Sequence, residues 1–328
     1  MASERSGEDK QTQTRFLRTP ALIKVVGVGG GGCNAVRRMI AKRVPGVEFI
    51  VVNTDVKSLE ATAGATVIQI GQDLTYGWGA GGNPDVGSAS AQQAKDLLRK
   101  AIKGADLVFV TAGMGGGTGT GASPVVANIA RESGALTVGV VTTPFKFEGK
   151  RRMDTAHVGL STLEKNVDNL IVIHNDLLLK LVAEDLPMQQ AFEVVDDVLQ
   201  QGILGVSSLI NLPGDINVDF ADVRTVMSIP GTALMAVGTG TGEKAALNAA
   251  RQAIANPLLD ISINGAKGVL FSIIGGHSMS TGAVNAAGEL ISNAVDRDAT
   301  IFFGMITEPE LGNKCRVILI ATGIPRPR

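Results

Sequence analysis

The sequence predicts an α/β fold in which a Rossmann-like domain with a parallel sheet is followed by a long helix and a smaller α/β domain. Short apolar runs rich in β-branched residues alternate with helical patterns through the first half of the chain. Two glycine-rich loops each follow such a run and precede a helical pattern. One long amphipathic pattern then separates this half from a second half of different texture.

In the first half, the alternation of elements indicates a doubly wound sheet. Right-handed crossovers bring the carboxyl ends of parallel strands to one edge, where such folds bind ligands. The predicted strands are 21–28, 47–52, 66–70, 106–111, 136–141 and 170–173. The predicted helices are about 34–41, 88–103, the segment from the central glycine run to 132, and 149–166.

The second half begins with a helical pattern over 187–210, and Pro187 suits the first turn of that helix. Helices are predicted near 243–256 and 283–295, and strands at 233–238, 268–274, 300–306 and 315–321. No helical pattern separates the last two strands, so we expect them to be antiparallel. The predicted division is a disordered tail (1–20), a nucleotide-binding domain (21–186), a central helix (187–211), a second domain (212–323) and a short end (324–328).

Composition excludes several classes of protein. The 328 residues are 45% hydrophobic and carry a net charge of −1, without the basic excess typical of nucleic-acid or anionic-membrane binding. Two cysteines form no disulfide framework and indicate a reducing compartment. Neither a signal peptide nor an apolar run of about 20 residues is present, so we expect a cytoplasmic protein with no direct membrane insertion.

The glycine-rich loops predict a phosphate site. The run from Gly27 to Gly32 matches G-x-G-x-x-G, and Asp55 follows the next strand, as in dinucleotide-binding folds. The run from Gly115 to Gly121 holds five glycines in seven residues, for which a purely structural reason is hard to find. Its backbone N–H groups, with the hydroxyls of Thr118 and Thr120, suit phosphate oxygens.

Two such loops on one sheet edge suit a polyphosphate better than the pyrophosphate of NAD. A third glycine-rich loop, 77–84, is expected at the same edge. The sequence contains neither a Walker A motif nor the guanine-binding Asn-Lys-x-Asp of Ras-type GTPases, which argues against a P-loop NTPase.

Five ordered motifs resemble the bacterial cell-division GTPases of the tubulin/FtsZ superfamily. They run from about residue 24 to 323 and are GVGGGG at 27–32, NTD at 53–55, GMGGGTGTGA at 113–122, PFKFEG at 144–149 and NVDFADV at 217–223. The resemblance implies a GTP-binding domain, a central helix and a C-terminal activation domain. It also implies head-to-tail protofilaments with GTP between subunits, Mg²⁺ at the β- and γ-phosphates, cell-division partners and a ring at mid-cell.

The resemblance also implies individual site residues. Those of the three phosphate loops, with the neighbouring Asn53, are Gly30, Gly31, Asn34, Asn53, Ala80, Gly81, Gly82, Asn83, Gly115, Gly116, Gly117, Thr118, Gly119 and Thr120. Pro144, Glu148 and Arg152 match the ribose and phosphate side, and Asn175, Phe192 and Asp196 match the guanine pocket. A carboxylate can accept from guanine N1–H and the 2-amino group, which adenine lacks. Ordinary core packing is the alternative role for Phe192.

Asp219 and Asp222 match catalytic acids that, in the family, reach the nucleotide of the next subunit and polarise the attacking water. Their spacing places both on one face at a helix start, where acids are also ordinary capping residues. Loops of N–H groups bind triphosphate but supply no base for water. The resemblance therefore implies a site that is completed by assembly.

Some positions depart from the family pattern. Cys33 follows the first glycine run, where a helix N-terminus can lower a thiol pKa, or where a small residue is simply tolerated. The sequence ends at Arg328, and we expect the linker and anchor peptide of typical members to be absent. The alternatives are an NAD(P)-dependent oxidoreductase, from Gly27–Gly32 with Asp55, and a filament-forming relative that binds GTP without hydrolysing it.

Overall fold

The computed structural model describes residues 21–41, 46–178, 187–212, 214–255, 262–277 and 279–325, without the side chains of Leu178 and Met188. The predicted tail at 1–20 and residues 326–328 of the predicted C-terminal end lie outside the described residues.

The first half includes apolar strands of the kind that parallel sheets bury on both faces. Strand β1 is apolar except for one lysine and is buried along its whole length, as expected for a strand covered on both faces. The strands are β1 (Ile23–Val28), β2 (Val47–Asn53), β3 (Thr66–Gln69), β4 (Leu107–Gly113), β5 (Leu136–Thr143), β6 (Asn169–His174), β7 (Thr232–Thr241), β8 (Gly268–Gly275), β9 (Thr300–Thr307) and β10 (Lys314–Ile324).

Helices fill the connections between these strands. They are α1 (Gly29–Ala41), α2 (Val56–Glu60), α3 (Gln72–Thr75), α4 (Pro84–Gln93), α5 (Lys95–Ile102), α6 (Gly117–Glu132), α7 (Lys150–Glu164), α8 (Asn175–Leu178), α9 (Met188–Asn211), α10 (Phe220–Met227), α11 (Ala245–Ile254) and α12 (Thr281–Ser292). Among the described residues, no helix combines the length and apolar character needed to cross a bilayer.

All strands join one sheet in the order β3-β2-β1-β4-β5-β6-β7-β10-β8-β9. The first six are parallel, which confirms the predicted doubly wound arrangement. A single pair, Ile171 with Ala233, connects β6 to β7 and so joins the two halves. The last two strands do run in opposite directions, but β10 lies between β7 and β8, antiparallel to both, and β9 pairs with β8.

The register of the parallel strands brings their carboxyl ends to one level. Val28 at the end of β1 pairs with Val52 of β2 and Ala112 of β4. Farther along the sheet, Thr143 at the end of β5 pairs with His174. The loops that follow these strands therefore leave the sheet at the same edge, as the sequence predicts.

Helix α9 lies along one face of this sheet. Its buried residues recur every three or four positions, which gives one apolar stripe: Ala191, Val195, Leu199, Ile203, Val206 and Leu209. Gly202 and Gly205 let the helix approach the second half closely, because a Cβ at either position would lie within 2.5 Å of Met235 or Ile318. The opposite face of the parallel sheet packs on α4, α5, α6 and α7.

Several element boundaries differ from the sequence prediction. Helix α1 begins at Gly29 rather than near residue 34, and α6 begins at Gly117, so both glycine runs form first helical turns. The segment predicted as one helix at 88–103 consists of two, divided at Ala94. Tertiary packing overrides the low intrinsic helix propensity of glycine in both runs.

Candidate functional site

Three adjoining cavities run along the carboxyl edge of the parallel strands and form one cleft. Their volumes are about 430, 510 and 220 Å³. Arg152 lines all three, and Gly31 lines the first and the last. A cleft outside the carboxyl ends of the strands is the usual ligand site of a doubly wound sheet.

At one end of the cleft the wall is bare backbone. Gly30 and Gly116 line it, and a Cβ added at either would meet no atom within 4 Å. Helices α1 and α6 begin here, so their first N–H groups lack intrahelical partners and their dipoles favour an anion. The predicted residues that line this end are Gly30, Gly31, Asn53, Gly81, Gly82, Gly115, Gly116, Gly117, Thr118 and Gly119.

The other glycines of the two runs serve close packing. A Cβ at Gly121 would lie 1.9 Å from the carbonyl oxygen of Pro84, and one at Gly119 would lie 2.6 Å from that of Gly113. In the first run, a Cβ at Gly32 would lie 2.4 Å from the carbonyl oxygen of Thr111. The expectation that five glycines lack a structural explanation is therefore wrong, because backbone passes too close for side chains at several of them.

The third loop contributes two glycines and a scaffold. Gly81 and Gly82 have positive φ angles of 57° and 76° and line the 510 Å³ cavity. Ala80 and Asn83 are not among the residues that line the three cavities. The Asn83 N–H donates to the Ala80 carbonyl (3.0 Å), and Asn83 Oδ1 caps α4 by accepting from the Asp85 N–H (2.9 Å). These two residues therefore stabilise the conformation of the loop without lining the cleft.

The two threonines of the signature run have different surroundings. Thr118 Oγ1 lies 2.6 Å from Thr54 Oγ1 and lines the 220 Å³ cavity. Thr120 lines a separate groove among α4, α6 and α7, and its Oγ1 accepts from the Gly115 N–H (2.8 Å). The prediction of Thr120 as a phosphate donor is not supported by this geometry. Its hydroxyl instead stabilises the loop through the Gly115 N–H, on the side of α6 that faces the separate groove.

The opposite end of the cleft combines an aromatic ring with an amide and a carboxylate. Phe192 is 41% exposed, and its ring meets Phe145 edge to face at 5.3 Å. Asn175 is buried, and its Oδ1 has no hydrogen-bond partner although it lines the same cavity. An unsatisfied buried acceptor is costly, so this atom fits a donor on a bound ligand.

Asp196 lies beside these groups and is held by a residue that the sequence prediction missed. Its Oδ2 is 2.9 Å from Nε of Arg38 on α1. Burial raises the pKa of Asp196 to about 6, against the opposing effect of the Arg38 guanidinium. Both residues line the 430 Å³ cavity with Asn34. Nothing in the sequence pairs positions 38 and 196, since only the packing of α1 against α9 brings them together.

Between the two ends, Glu148 and Arg152 form an ion pair of 2.7 Å, and Pro144 lies in the adjacent wall. Glu148 Oε1 also accepts from the Phe145 N–H at 2.9 Å, which fixes the carboxylate. Asn53 holds the neighbouring turn, because its Oδ1 accepts from the N–H groups of Thr54 (2.9 Å) and Asp55 (3.3 Å).

Cys33 is a small packing residue. It is fully buried in the core, and burial raises the pKa of its thiol to about 12. The Asn53 side-chain amide donates to its sulfur at 3.9 Å. Of the two roles considered from the sequence, the reactive thiol is wrong, because the burial penalty outweighs the effect of the helix N-terminus.

Asp219 and Asp222 lie at the start of α10 and are not among the residues that line the cleft. Asp219 precedes the helix, and Asp222 Oδ2 accepts from its backbone N–H at 3.1 Å. Asp219 is exposed and Asp222 partly exposed. The capping role considered from the sequence is present, and the exposure leaves both carboxylates within reach of another molecule.

Carboxylates near the phosphate end are few. Asp55 lines the 220 Å³ cavity, but it caps α2 by accepting from the Lys57 N–H (3.1 Å) and the Ser58 hydroxyl (2.7 Å). Within the described part of the chain, no three His, Cys, Asp or Glu side chains cluster as a metal site would require.

Comparisons with known proteins agree with this geometry. Residues 22–183 match the model of the Tubulin/FtsZ family GTPase domain, and residues 231–325 match the FtsZ family C-terminal domain. An empty FtsZ dimer of M. jannaschii is 41% identical over 97% of this chain and 93% of its own, with a TM-score of 0.90. A mutant of M. jannaschii FtsZ is 42% identical, over 93% and 92%, with a TM-score of 0.89.

A more distant structure shares the fold alone. CetZ2 from Haloferax volcanii, a GTPγS-bound protofilament, is 19% identical over 93% of each chain, with a TM-score of 0.78. The family models and the M. jannaschii structures, taken with the cleft, lead to one assignment. The chain belongs to the FtsZ family of cytoskeletal GTPases, within the tubulin/FtsZ superfamily.

Proposed function

We propose that the cleft binds GTP, with the phosphates at the glycine wall and the guanine at Phe192, Asn175 and Asp196. The observation that carries this proposal is the polarity of the cleft. One end is bare backbone at two helix N-termini, and the other presents a partly buried carboxylate and an unsatisfied amide oxygen. A purine nucleotide carries its anionic phosphates at one end and the hydrogen-bonding edge of its base at the other. These two ends match the two ends of the cleft.

The guanine end distinguishes the two purines by its acceptors. An ionised Asp196 accepts from N1–H and the 2-amino group, and the Asn175 Oδ1 supplies a further acceptor. Adenine has no donor at these positions, so it leaves the buried acceptors unsatisfied. The exposed ring of Phe192 packs on the base.

The middle and far end hold the ribose and phosphates. Glu148 accepts from a ribose hydroxyl and Arg152 pairs with phosphate, while N–H groups of the three loops surround the remaining oxygens. Mg²⁺, when bound, shields the charge of the β- and γ-phosphates. The carboxylates along the cleft have other partners, since Glu148 pairs with Arg152 and Asp55 caps α2.

Hydrolysis needs a base to orient water, and we assign it to Asp219 and Asp222 of a neighbouring copy. Both acids are at least partly exposed at the start of α10 and do not line their own cleft. This arrangement makes turnover depend on assembly. The solved FtsZ dimer supports self-association, and we infer that the copies join head to tail.

At the cellular level, we propose a cytoplasmic protein that forms the cell-division ring at mid-cell with other division proteins. Residues 21–186 serve as the GTP-binding domain, 187–211 as the central helix and 212–323 as the activating domain. Family membership supports these assignments.

The test of the shared site is GTP turnover measured against protein concentration, with light scattering to follow assembly. Turnover per molecule should rise steeply once filaments form, because the base then reaches the neighbour's nucleotide. Turnover that does not depend on concentration would exclude a site between subunits.

Asp219→Ala separates binding from catalysis. We expect normal GTP binding and filament formation. Turnover should fall about 10²–10⁴-fold, the contribution typical of a positioned acid or base. Asp298→Ala, which removes an exposed acid before β9, is the control and should keep normal turnover. Normal hydrolysis by Asp219→Ala would remove this residue from the mechanism.

Thermal unfolding and phosphate release, measured on the same protein, test the two alternatives. An NAD(P)-dependent oxidoreductase would be stabilised against heat by NAD rather than GTP, and we expect the opposite. A non-hydrolysing relative would form stable filaments without releasing phosphate, so phosphate release from assembled filaments excludes it.

A further inference from the structure

We propose that Arg38 is a positioning residue of the guanine pocket, which holds the Asp196 carboxylate before the nucleotide arrives and keeps it ionised as an acceptor. This inference rests on the proposed role of Asp196 in binding guanine. The guanine contacts proposed above do not include Arg38. Its effect on Asp196 makes nucleotide affinity depend on pH.

The geometry places Arg38 on the carboxylate rather than in solvent. Its Nε lies 2.9 Å from Asp196 Oδ2, and its terminal nitrogen is 3.5 Å from Glu193. The Asp196 side chain is 14% exposed and that of Arg38 is 36% exposed. The carboxylate is therefore largely withdrawn from water, while the guanidinium can move outward when a base enters.

The chemistry requires an ionised acid. Both groups on the guanine edge, N1–H and the 2-amino group, are donors. A protonated Asp196 would present a hydroxyl donor to one of them and would lose an acceptor. The pocket therefore binds guanine only while the proton is absent from Asp196.

The surroundings of Asp196 favour that proton unless a cation opposes them. Burial, with Glu193 and Asp197 on the same helix, raises the pKa of the carboxyl to about 6. Arg38, from α1, acts against all three effects. Across the cavity, Glu148 and Arg152 neutralise each other in their own ion pair.

Removal of Arg38 should therefore strengthen guanine binding at high pH and weaken it at low pH. At about pH 8 the acid is ionised in both proteins, and guanine no longer has to displace the guanidinium. At about pH 6 the variant carboxyl is mostly protonated, because its pKa has risen further. A rise in pKa of about one unit lowers the ionised fraction at this pH roughly fivefold.

The test compares GDP affinity of the wild type and Arg38→Gln by calorimetry at about pH 8 and about pH 6. GDP carries the same base without hydrolysis. Its terminal phosphate also titrates near pH 6, but it does so equally in both proteins. We expect the ratio of variant to wild-type Kd to grow roughly three- to tenfold between the two pH values. An unchanged ratio would overturn the proposal, because a simple contact with nucleotide weakens binding equally at both.

Two control variants separate charge from shape. Arg38→Lys keeps a cation near the carboxylate and should restore most of the wild-type pH profile. Arg251→Gln removes the same charge from an exposed position on α11 and should match the wild type at both pH values. Thermal unfolding of each variant checks that it is folded. A pH-dependent loss in Arg251→Gln equal to that of Arg38→Gln would overturn the assignment.

Asp196→Asn distinguishes failure of this inference from failure of the proposed guanine site. An asparagine amide accepts from N1–H and donates to a carbonyl, so the variant should lose GDP affinity and gain affinity for xanthosine diphosphate. If it keeps normal GDP affinity, Asp196 does not bind the base. If the preference changes as expected, Arg38→Gln is added to Asp196→Asn, and the Kd of the double variant is divided by that of Asp196→Asn for the same nucleotide. This ratio should be the same at both pH values, and a ratio that still changes with pH would overturn the role of Arg38 alone.

Discussion

The ionised form of the Asp196 side chain is unfavourable in the folded protein. Burial raises its pKa to about 6, so the ionised carboxylate that the proposed guanine contact requires is costly in the nucleotide-free protein. The Arg38 ion pair reduces that cost without removing it. If Asp196 binds guanine as proposed, it is retained for its chemistry rather than for stability.

Asp196→Asn should stabilise the nucleotide-free protein at high pH. The pKa of Asp196 is higher in the folded state than in the unfolded state, so the folded state binds the proton more tightly. The free energy of unfolding therefore falls as the pH rises toward 6. The variant avoids this loss, so we expect a gain of about 1–3 kcal/mol at pH 8 that fades as pH falls toward about 4. Urea unfolding at several pH values measures it, and a variant less stable than wild type at pH 8 contradicts the argument.

The two cysteines should be inert while the protein is folded. Burial raises the thiol pKa of Cys33 to about 12 and that of Cys315 to about 11, so neither forms a thiolate near neutral pH. We expect a chromogenic disulfide reagent to label neither cysteine in native protein and both in urea. Rapid labelling of Cys33 in the native state would mean that the first glycine run opens.

At the scale of elements, the glycine run at the start of helix α6 contains two kinds of glycine. Gly116 faces the cleft with open space beside it, and Gly121 faces the backbone of α4. The same amino acid therefore keeps one surface bare for a ligand and allows another to pack closely. A sequence motif of closely spaced glycines does not distinguish these uses.

Alanine at each position should separate the two functions. Gly121→Ala places a Cβ against the Pro84 carbonyl and should lower the free energy of unfolding by about 1–3 kcal/mol. Gly116 has a φ of −91°, which alanine adopts easily, so Gly116→Ala should keep its stability within about 0.5 kcal/mol and bind GTP more weakly. Chemical unfolding and GTP titration check both, and equal destabilisation by the two variants would contradict the distinction.

At the scale of the whole molecule, the cleft and the acids belong to different surfaces. The cleft lies at the carboxyl edge of the parallel strands, whereas Asp219 and Asp222 begin α10, before the first strand of the second half. A copy that has lost its own cleft still carries intact acids. If the site is shared between copies as proposed, one filament combines an intact cleft and intact acids from two defective copies.

A mixture of two inactive variants should regain turnover. Asp219→Ala keeps the cleft, and Gly116→Asp keeps the acids while placing a negative charge in the phosphate end. With random head-to-tail mixing, about a quarter of interfaces join an intact cleft to intact acids. Phosphate release from the 1:1 mixture, compared with each variant alone, measures this. No recovery in filaments that contain both variants would contradict a shared site.

The local sequence determined the order of elements, the parallel first half and the edge where ligand binds. Apolar runs and glycine-rich turns are local signals, and residues 27–32 and 113–122 carry them strongly. The family resemblance named most residues that the structure brings to the cleft, including Asn175 and Phe192, which lie outside the five motifs and are distant from the loops in sequence.

Tertiary structure decided what individual residues do there. The packing of α1 on α9 brings Arg38 to Asp196, and the crossing of α4 and α6 gives Gly121 its role and turns Thr120 away from the cleft. It also inserted β10 between β7 and β8, which no local pattern indicates. The reason is physical: strand pairing, burial and ion pairing depend on atoms brought together from distant parts of the chain, whereas periodicity and turn chemistry depend on neighbours in sequence.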